Sequence, residues 1–436
     1  MEDTKKKLLV YAHYYHPDVA STGQILKELC EGMLDEFDIT VICTVPSYTG
    51  TVEDKYKKQK YFQENINGVK VLRVAVPEFS KDNKKSRIKN LVAYSFRAVL
   101  ATLKLEKQDY IFTISQPPIL GGVLGVIGKW LKGGKLIYNI QDFNPEQTMA
   151  VGYSKNKAIL NIAMMVDKFS CRQADKVIVV GRDMQETLRN RFNNKNVPRN
   201  VFINNWIDEK EIYPLPEDHE KVLAFKKKYE LQDKTVIMYS GNIGLYYDLE
   251  NLIKVIERFR DRDDVVFAFI GEGTKKKDIE NYAAEHDMNN VKFIPYQDKS
   301  DLIYSLNAGD VHWVVNAKGI KGISVPSKLY GVMAAGKTVF GVLEENSEAR
   351  LIVEDCNCGV CIEPGKYDLI YNELLNVIDN IDEYKRLGNM GKEYVDMYIK
   401  KDVAIEKYSR EILCNVEKLI EVDEKEIMGI QETKNV

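Results

Sequence analysis

The chain has 436 residues, 44% of them apolar and 29% charged, with a formal net charge of −3. That length predicts two or three domains. The composition suits a soluble globular protein with sizeable cores, and the near-neutral balance excludes the global basic character of a nucleic-acid binder.

The start, MEDTKKKLLVYAHYY, holds a short apolar run with no cleavage site after it, so it reads as a first strand over 7–12 rather than a secretory signal. An amphipathic helix follows over 23–33. Strands are predicted at 38–43, 69–74, 110–114, 135–140 and 176–180, with helical patterns between them, and 200–205 closes this half. Short apolar runs separated by helices indicate a parallel sheet covered on both faces. The apolar stretch 118–131 is interrupted by Gly121, Gly122, Gly125, Gly128 and Lys129. It is shorter than the ~20 residues a spanning helix needs, so no transmembrane span is predicted. A proline-bearing linker at 214–218 precedes a second alternation. Its strands lie at 236–239, 265–270, 291–294, 311–315 and 338–342, and its helices begin at Asp248, Lys275, Ser300 and Ser327.

The predicted fold class is therefore α/β, with two doubly wound, Rossmann-like domains over 1–210 and 211–399. A final helix over 400–420 can pack back on the first domain, and a polar tail covers 421–436. Such sheets bind ligands outside the carboxyl ends of their strands, so two facing sheets create a cleft.

Four stretches fall at such strand ends. After the first strand comes His13-Tyr14-Tyr15-His16-Pro17-Asp18, leading to Ser21-Thr22-Gly23 at a helix start. No cluster completes a metal site with the two histidines, so no metal is expected. After the strand at 135–140 comes Gln141-Asp142-Phe143-Asn144-Pro145-Glu146, where Asp142 or Glu146 can orient a sugar hydroxyl, act as a base, or cap the next helix. Ser240-Gly241-Asn242-Ile243-Gly244 joins a strand to a helix that Asp248 can cap. Glycines let the backbone approach a ligand, and a helix start favours a phosphate. Finally Val325-Pro326-Ser327-Lys328 opens a small-residue helix that Ser327 can cap. A lysine in the first turn opposes the helix dipole, which makes sense if it meets an anion; otherwise it is a solvated surface lysine.

Two further stretches have rival readings. Cys356-x-Cys358-x-x-Cys361 lacks a fourth zinc ligand and reads as buried free thiols; an odd total of seven cysteines points to a reducing cytoplasm. Lys84, Lys85, Arg87, Lys89 and Arg97 interleave with Ile88, Val92 and Phe96. This helix can lie on an anionic membrane surface or pack on the first sheet with a solvated basic face.

In order, the chain reads H-P-x-x-x-S-T-G, Q-D-x-x-P-E, Y-S-G-N-x-G, G-E-G and V-P-S-K-L-Y-G-x-M-A-A-G-K. This set, spanning 8 to about 398, resembles the retaining family 4 glycosyltransferases of the GT-B fold. It is most similar to the bacterial subgroup that builds O-antigen, colanic-acid-like and capsular polysaccharides, including N-acetylfucosamine-type transferases.

The resemblance implies a nucleoside-diphosphate sugar donor, UDP-linked, and a lipid-diphosphate-linked acceptor. It also implies transfer with retention, no metal cofactor, and a cytoplasmic enzyme peripheral to the inner face of the membrane. It implies donor contacts from Gly241, Asn242, Gly244, Gly271, Tyr296, Ser327, Lys328 and Glu348. Acceptor contacts would come from His16, Ser21, Thr22, Gly23 and Glu146, and Asp142 and Lys328 would be catalytic. The chain departs from the family pattern at Ile323 and Gly331, where relatives carry two glutamates, and at Gln141 and Asn242, where they carry histidine and arginine. A nucleotide-sugar epimerase or hydrolase, or a non-catalytic partner of a transferase, are the rival readings.

Overall fold

The computed structural model describes residues 5–18, 21–80, 83–152 and 156–414. Its first sheet contains β1 (Lys6–Tyr11), β2 (Phe37–Thr44), β3 (Tyr61–Ile66), β4 (Val69–Val74), β5 (Tyr110–Ile114), β6 (Lys135–Ile140), β7 (Lys176–Val179) and β8 (Asn200–Phe202). Their order is β3-β4-β2-β1-β5-β6-β7-β8. The central strands are buried along nearly their whole length, as the continuous apolar runs require.

Every neighbouring pair in this sheet is parallel except β3 with β4. Strand β3 was not anticipated. It is an edge strand whose residues alternate between partly covered and exposed, and it joins β4 through Asn67-Gly68 with φ of 48° and 95°. Two left-handed residues match the right-handed twist of a two-residue hairpin, and Asn-Gly is the dipeptide that favours them.

The helices of this half are α1 (Ser21–Gly32), α2 (Lys84–Leu103), α3 (Leu120–Lys132), α4 (Glu146–Ala150), α5 (Lys157–Gln173) and α6 (Arg182–Arg191). The glycines that interrupt the apolar stretch of α3 let it press onto the sheet. A Cβ at Gly125 would sit 2.5 Å from Thr113 Cγ2, and one at Gly128 would sit 2.6 Å from the Tyr11 hydroxyl. No helix among the described residues is long and apolar enough to cross a membrane.

The second sheet contains β9 (Thr235–Ser240), β10 (Val265–Ile270), β11 (Val291–Ile294), β12 (Val311–Val315), β13 (Thr338–Val342) and β14 (Gly359–Ile362). It is wholly parallel, in the order β11-β10-β9-β12-β13-β14. The linker is pinned to this half, because Leu215 N donates to Asn307 Oδ1 at 2.9 Å.

The last described helix, Lys401–Leu413, returns to the first sheet. Asn139 Nδ2 donates to its Tyr408 hydroxyl at 3.1 Å, and Lys176 Nζ meets its Glu411 carboxylate at 2.6 Å. Residues 415–420 of the predicted final helix, and the polar tail, lie outside the described residues. Neither expected cap forms through a side chain. Ser327 holds helical dihedrals and caps nothing, and Asp248 sits at φ 53° with its carboxylate bonded to Asn251 and Tyr367.

Strand order changes direction between β1 and β5 in the first sheet, and between β9 and β12 in the second. Doubly wound sheets open a crevice at such switch points. The loops after these strands and after their neighbours β6, β10 and β11 carry the residues described next.

Candidate active site

The second-domain side is built on two backbone loops. Gly241, after β9, has φ +148°, and Gly271, after β10, has φ +139°. These are values that L side chains rarely adopt. A Cβ at Gly271 would stand 2.0 Å from the Gly241 carbonyl, so the two loops stack backbone on backbone. Asn242 is exposed on the loop and Gly244 is buried.

Lys328 opens the helix Lys328–Ala334 and lies under this loop. The Cβ position of Gly241 is 3.5 Å from its Cε. Lys328 Nζ donates to the Tyr239 hydroxyl at 2.7 Å, and that hydroxyl donates to the Asn242 carbonyl at 2.6 Å. The ammonium also sits over two rings, 4.1 Å from the Tyr239 centroid and 3.8 Å from that of Tyr247. Among the described residues, no carboxylate pairs with Lys328, and desolvation alone holds its pKa well below the ordinary lysine value. It is half-buried rather than a solvated surface lysine. Ser327 is exposed beside it, and Tyr296, 62% exposed, follows β11 on the same sheet edge.

The first-domain side is a pocket of about 320 Å³ lined by His13, Tyr14, Tyr48, Arg87, Gln116 and Asp142 among others. Thr22 also lines it, donating from Oγ1 to Gln116 Oε1 at 2.7 Å. His13 is buried, and desolvation lowers its pKa to about 4, so it is neutral. Asp142 receives a hydrogen bond from Gln147 at 3.3 Å, and burial raises its carboxyl to about 6. Ser115 Oγ accepts from the Gln141 and Asp142 amides at 3.0 and 3.3 Å, which fixes the turn that presents Asp142.

The two sides touch. Phe143 N donates to the Ile323 carbonyl at 2.9 Å, and Asp142 forms an isolated antiparallel bridge with Ser324. Tyr247 feels the Asp142 charge, and burial together with that charge pushes its hydroxyl up to about 12. Asp142 and Lys328 therefore both neighbour Tyr247, a residue not singled out from the sequence.

Other expected site residues lie elsewhere. Ser21 is the first residue of α1, and Gly23 abuts the Tyr14 carbonyl. His16 is exposed and outside the pocket lining. Glu146 is held by Arg191 through Nε and Nη2 at 2.5 and 2.6 Å. Glu348 also sits in a network of protein donors. It is 1% exposed and accepts from Arg182 N at 2.7 Å, Arg182 Nε at 2.9 Å and Asn204 Nδ2 at 2.9 Å. These bonds, with Asp183 accepting from Gly322 N at 2.8 Å, tie α6 of the first domain to the second.

Removing one partner of a buried ion pair costs several kcal/mol, because donors are left without acceptors. Glu348→Ala is therefore expected to destabilise the protein by about 3 kcal/mol. A thermal melt would check it, with Glu348→Gln falling between the two.

Among the described residues, no group of three or more His, Cys, Asp or Glu side chains forms a metal-ligating cluster. All seven cysteines are free. Of the three expected buried thiols only Cys358 is buried; Cys356, which ends the helix Glu348–Cys356, and Cys361, in the edge strand β14, are half-buried.

Two doubly wound domains, with strand ends and a lysine-bearing loop facing a cleft, define the GT-B architecture of glycosyltransferases. Comparison with known proteins makes this specific. Residues 22–206 match the glycosyl transferase 4-like domain, and residues 220–394 match glycosyl transferases group 1. The chain is 26% identical over 340 residues to a Pseudomonas aeruginosa protein named as a glycosyltransferase, WbjE, covering 76% of this chain and 82% of that one. It is 24% identical over 417 residues to the Escherichia coli protein named as the colanic acid biosynthesis glycosyl transferase WcaI, covering 93% and 99%. Among solved structures, Anabaena HepE in complex with UDP and glucose superposes with a TM-score of 0.68 at 13% identity, covering 93% and 99%. The protein is a glycosyltransferase of GT-B fold.

Proposed function

We propose that the protein moves a sugar from a nucleoside diphosphate, UDP with an N-acetylamino sugar, to a lipid-diphosphate-linked acceptor in bacterial surface polysaccharide synthesis. Transfer proceeds with retention, without a metal ion, at the inner face of the cell membrane. The name of WcaI supports the polysaccharide context, that of WbjE supports glycosyl transfer, and the UDP bound to HepE supports the nucleotide.

The observation that carries this reading is Lys328, which lies beneath the loop 241–244 with no paired carboxylate among the described residues. Departure of the sugar builds negative charge on the diphosphate, and preorganised donors must be strongest there. Lys328 and the amides of that loop supply them, and Tyr239 and Tyr247 hold the lysine in place. Asp142, in the pocket of the first domain, orients the acceptor hydroxyl or the donor sugar.

The test is a thermal-shift panel of UDP, GDP, ADP and TDP, with and without magnesium. A ligand that binds only the native state stabilises it by RT ln(1 + [L]/Kd), about 2.7 kcal/mol at one hundred times Kd. The expected result is a metal-independent shift with UDP. A shift with another nucleotide alone would overturn the donor assignment. Turnover of the sugar nucleotide without acceptor would point to a hydrolase or epimerase instead.

A further inference from the structure

The outer surface of the first domain is chemically lopsided. Helix α3 packs beside both α2 and α5 and makes a layer with them over the sheet. Eleven large apolar side chains are exposed on this layer. On α2 they follow a helical stripe, with Ile88 at 60% exposure, Val92 at 59% and Phe96 at 64%, running on to Leu100 and Leu103. On α5 the stripe is Ile159, Ile162, Met165 and Phe169, and Trp130 of α3 bridges towards it, 6.2 Å from the Phe169 ring.

The charges of the layer are equally one-sided. The three helices hold five, two and three Lys or Arg residues, and their only acid is Asp167. Asp167 is buried and bonded to Arg191. The whole chain has a net charge of −3, so the rest of it is acidic. Apolar rows flanked by cations, with no exposed carboxylate among the helices, match the interface of an anionic bilayer: side chains enter the headgroup region while lysines and arginines meet lipid phosphates. The apolar rows and cations extend across three adjacent helices, which suits a laterally extended lipid surface.

From this we infer that α2, α3 and α5 form a docking face for an anionic lipid bilayer. Arg87, Asn90 and Leu91 of α2 also line the 320 Å³ pocket, so docking brings the pocket mouth to the lipid surface. The inference deepens the proposed function by giving the lipid-linked acceptor its route of approach, but binding itself needs no acceptor.

The experiment is co-sedimentation of the full chain with vesicles of phosphatidylcholine alone and of phosphatidylcholine mixed with phosphatidylglycerol, neither containing a sugar lipid. Trp130 provides a second readout. The other tryptophans, Trp206 and Trp313, are 5% and 3% exposed, so a blue shift on vesicle addition reports Trp130, and Trp130→Phe removes it. The expected result is binding to the anionic vesicles that weakens with salt. It should fall at least about tenfold in Phe96→Glu with Ile162→Glu and in Lys85→Gln with Lys89→Gln, but not in the distant Leu369→Glu. A second variant pair guards against misfolding of the first, which a thermal melt would reveal.

Failure of the wild-type protein to sediment with anionic vesicles would overturn the inference, as would equal binding by both variant pairs; either result would leave a protein partner as the occupant of the face. Transfer to a water-soluble acceptor tests the enzymatic reading separately, and the variants should retain it.

Discussion

Lys328→Met is expected to lower the transfer rate by about 10²–10³-fold, the range seen when one preorganised donor to a developing anion is removed. The same substitution should leave the free protein at least as stable as wild type. The wild-type ammonium is desolvated, rests on two tyrosine rings and one hydroxyl, and has no paired carboxylate among the described residues. Its folded pKa lies well below 10.5, so between that depressed value and 10.5 the unfolded chain binds more protons than the native one. Stability from this group therefore rises with pH across that window, and the methionine variant should lose that slope. A bound diphosphate supplies the missing negative charge and favours the protonated amine. UDP binding should therefore take up a proton above the depressed pKa, measurable by calorimetry in two buffers of different ionisation enthalpy. A variant that melts lower, keeps its UDP stabilisation and retains full activity would assign Lys328 to packing alone.

The surroundings that make this prediction sharp were only partly legible in the sequence. The lysine itself stood out because it opposes its helix dipole. Its neighbours Tyr239 and Tyr247 did not, because they are 89 and 81 positions away and only the fold brings them together. The same reason explains Glu146 and Glu348. Glu146 stands out at a strand end and Glu348 through the resemblance to the family, yet each answers an arginine distant in sequence, Arg191 at a separation of 45 and Arg182 at 166. Local pattern shows where a carboxylate begins a helix, but not what charge faces it.

Elements with a local signature were easier to find. The parallel strands announce themselves as apolar runs, and the two sheets follow from their alternation with helices. Strand β3 was missed although its Asn67-Gly68 turn is a strong hairpin signal, because its own residues are only half-covered and no apolar run marks it. The stripe on α5 was missed for a related reason. An exposed apolar row and a buried one have the same periodicity, and only the packing of α3 between α2 and α5 decides which side faces out.

Asp142→Asn should likewise pair lost activity with gained stability, but with the opposite dependence on pH. As the group that orients or deprotonates a hydroxyl, Asp142 is expected to contribute about 10²–10⁴-fold to the rate, and asparagine removes its charge while keeping its shape. Burial raises the carboxyl from 3.8 to about 6, so between these values the native state binds more protons than the unfolded chain. Stability from this group is therefore present at low pH and lost as pH rises through 6, by on the order of 2–3 kcal/mol at about 1.4 kcal/mol per pKa unit. Asparagine never ionises, so the variant should match wild type near pH 4 and melt higher at pH 8. Wild-type transfer should rise with pH through about 6, because the ionised carboxylate is the working form. Melting curves at both pH values, with rates across the same range, separate the two roles. A carboxylate that serves only the fold would give a variant less stable at every pH. One that serves the reaction gives a protein that is firmer at pH 8 and nearly inactive, since the desolvation that strains the free enzyme also brings Asp142 into working range at neutral pH.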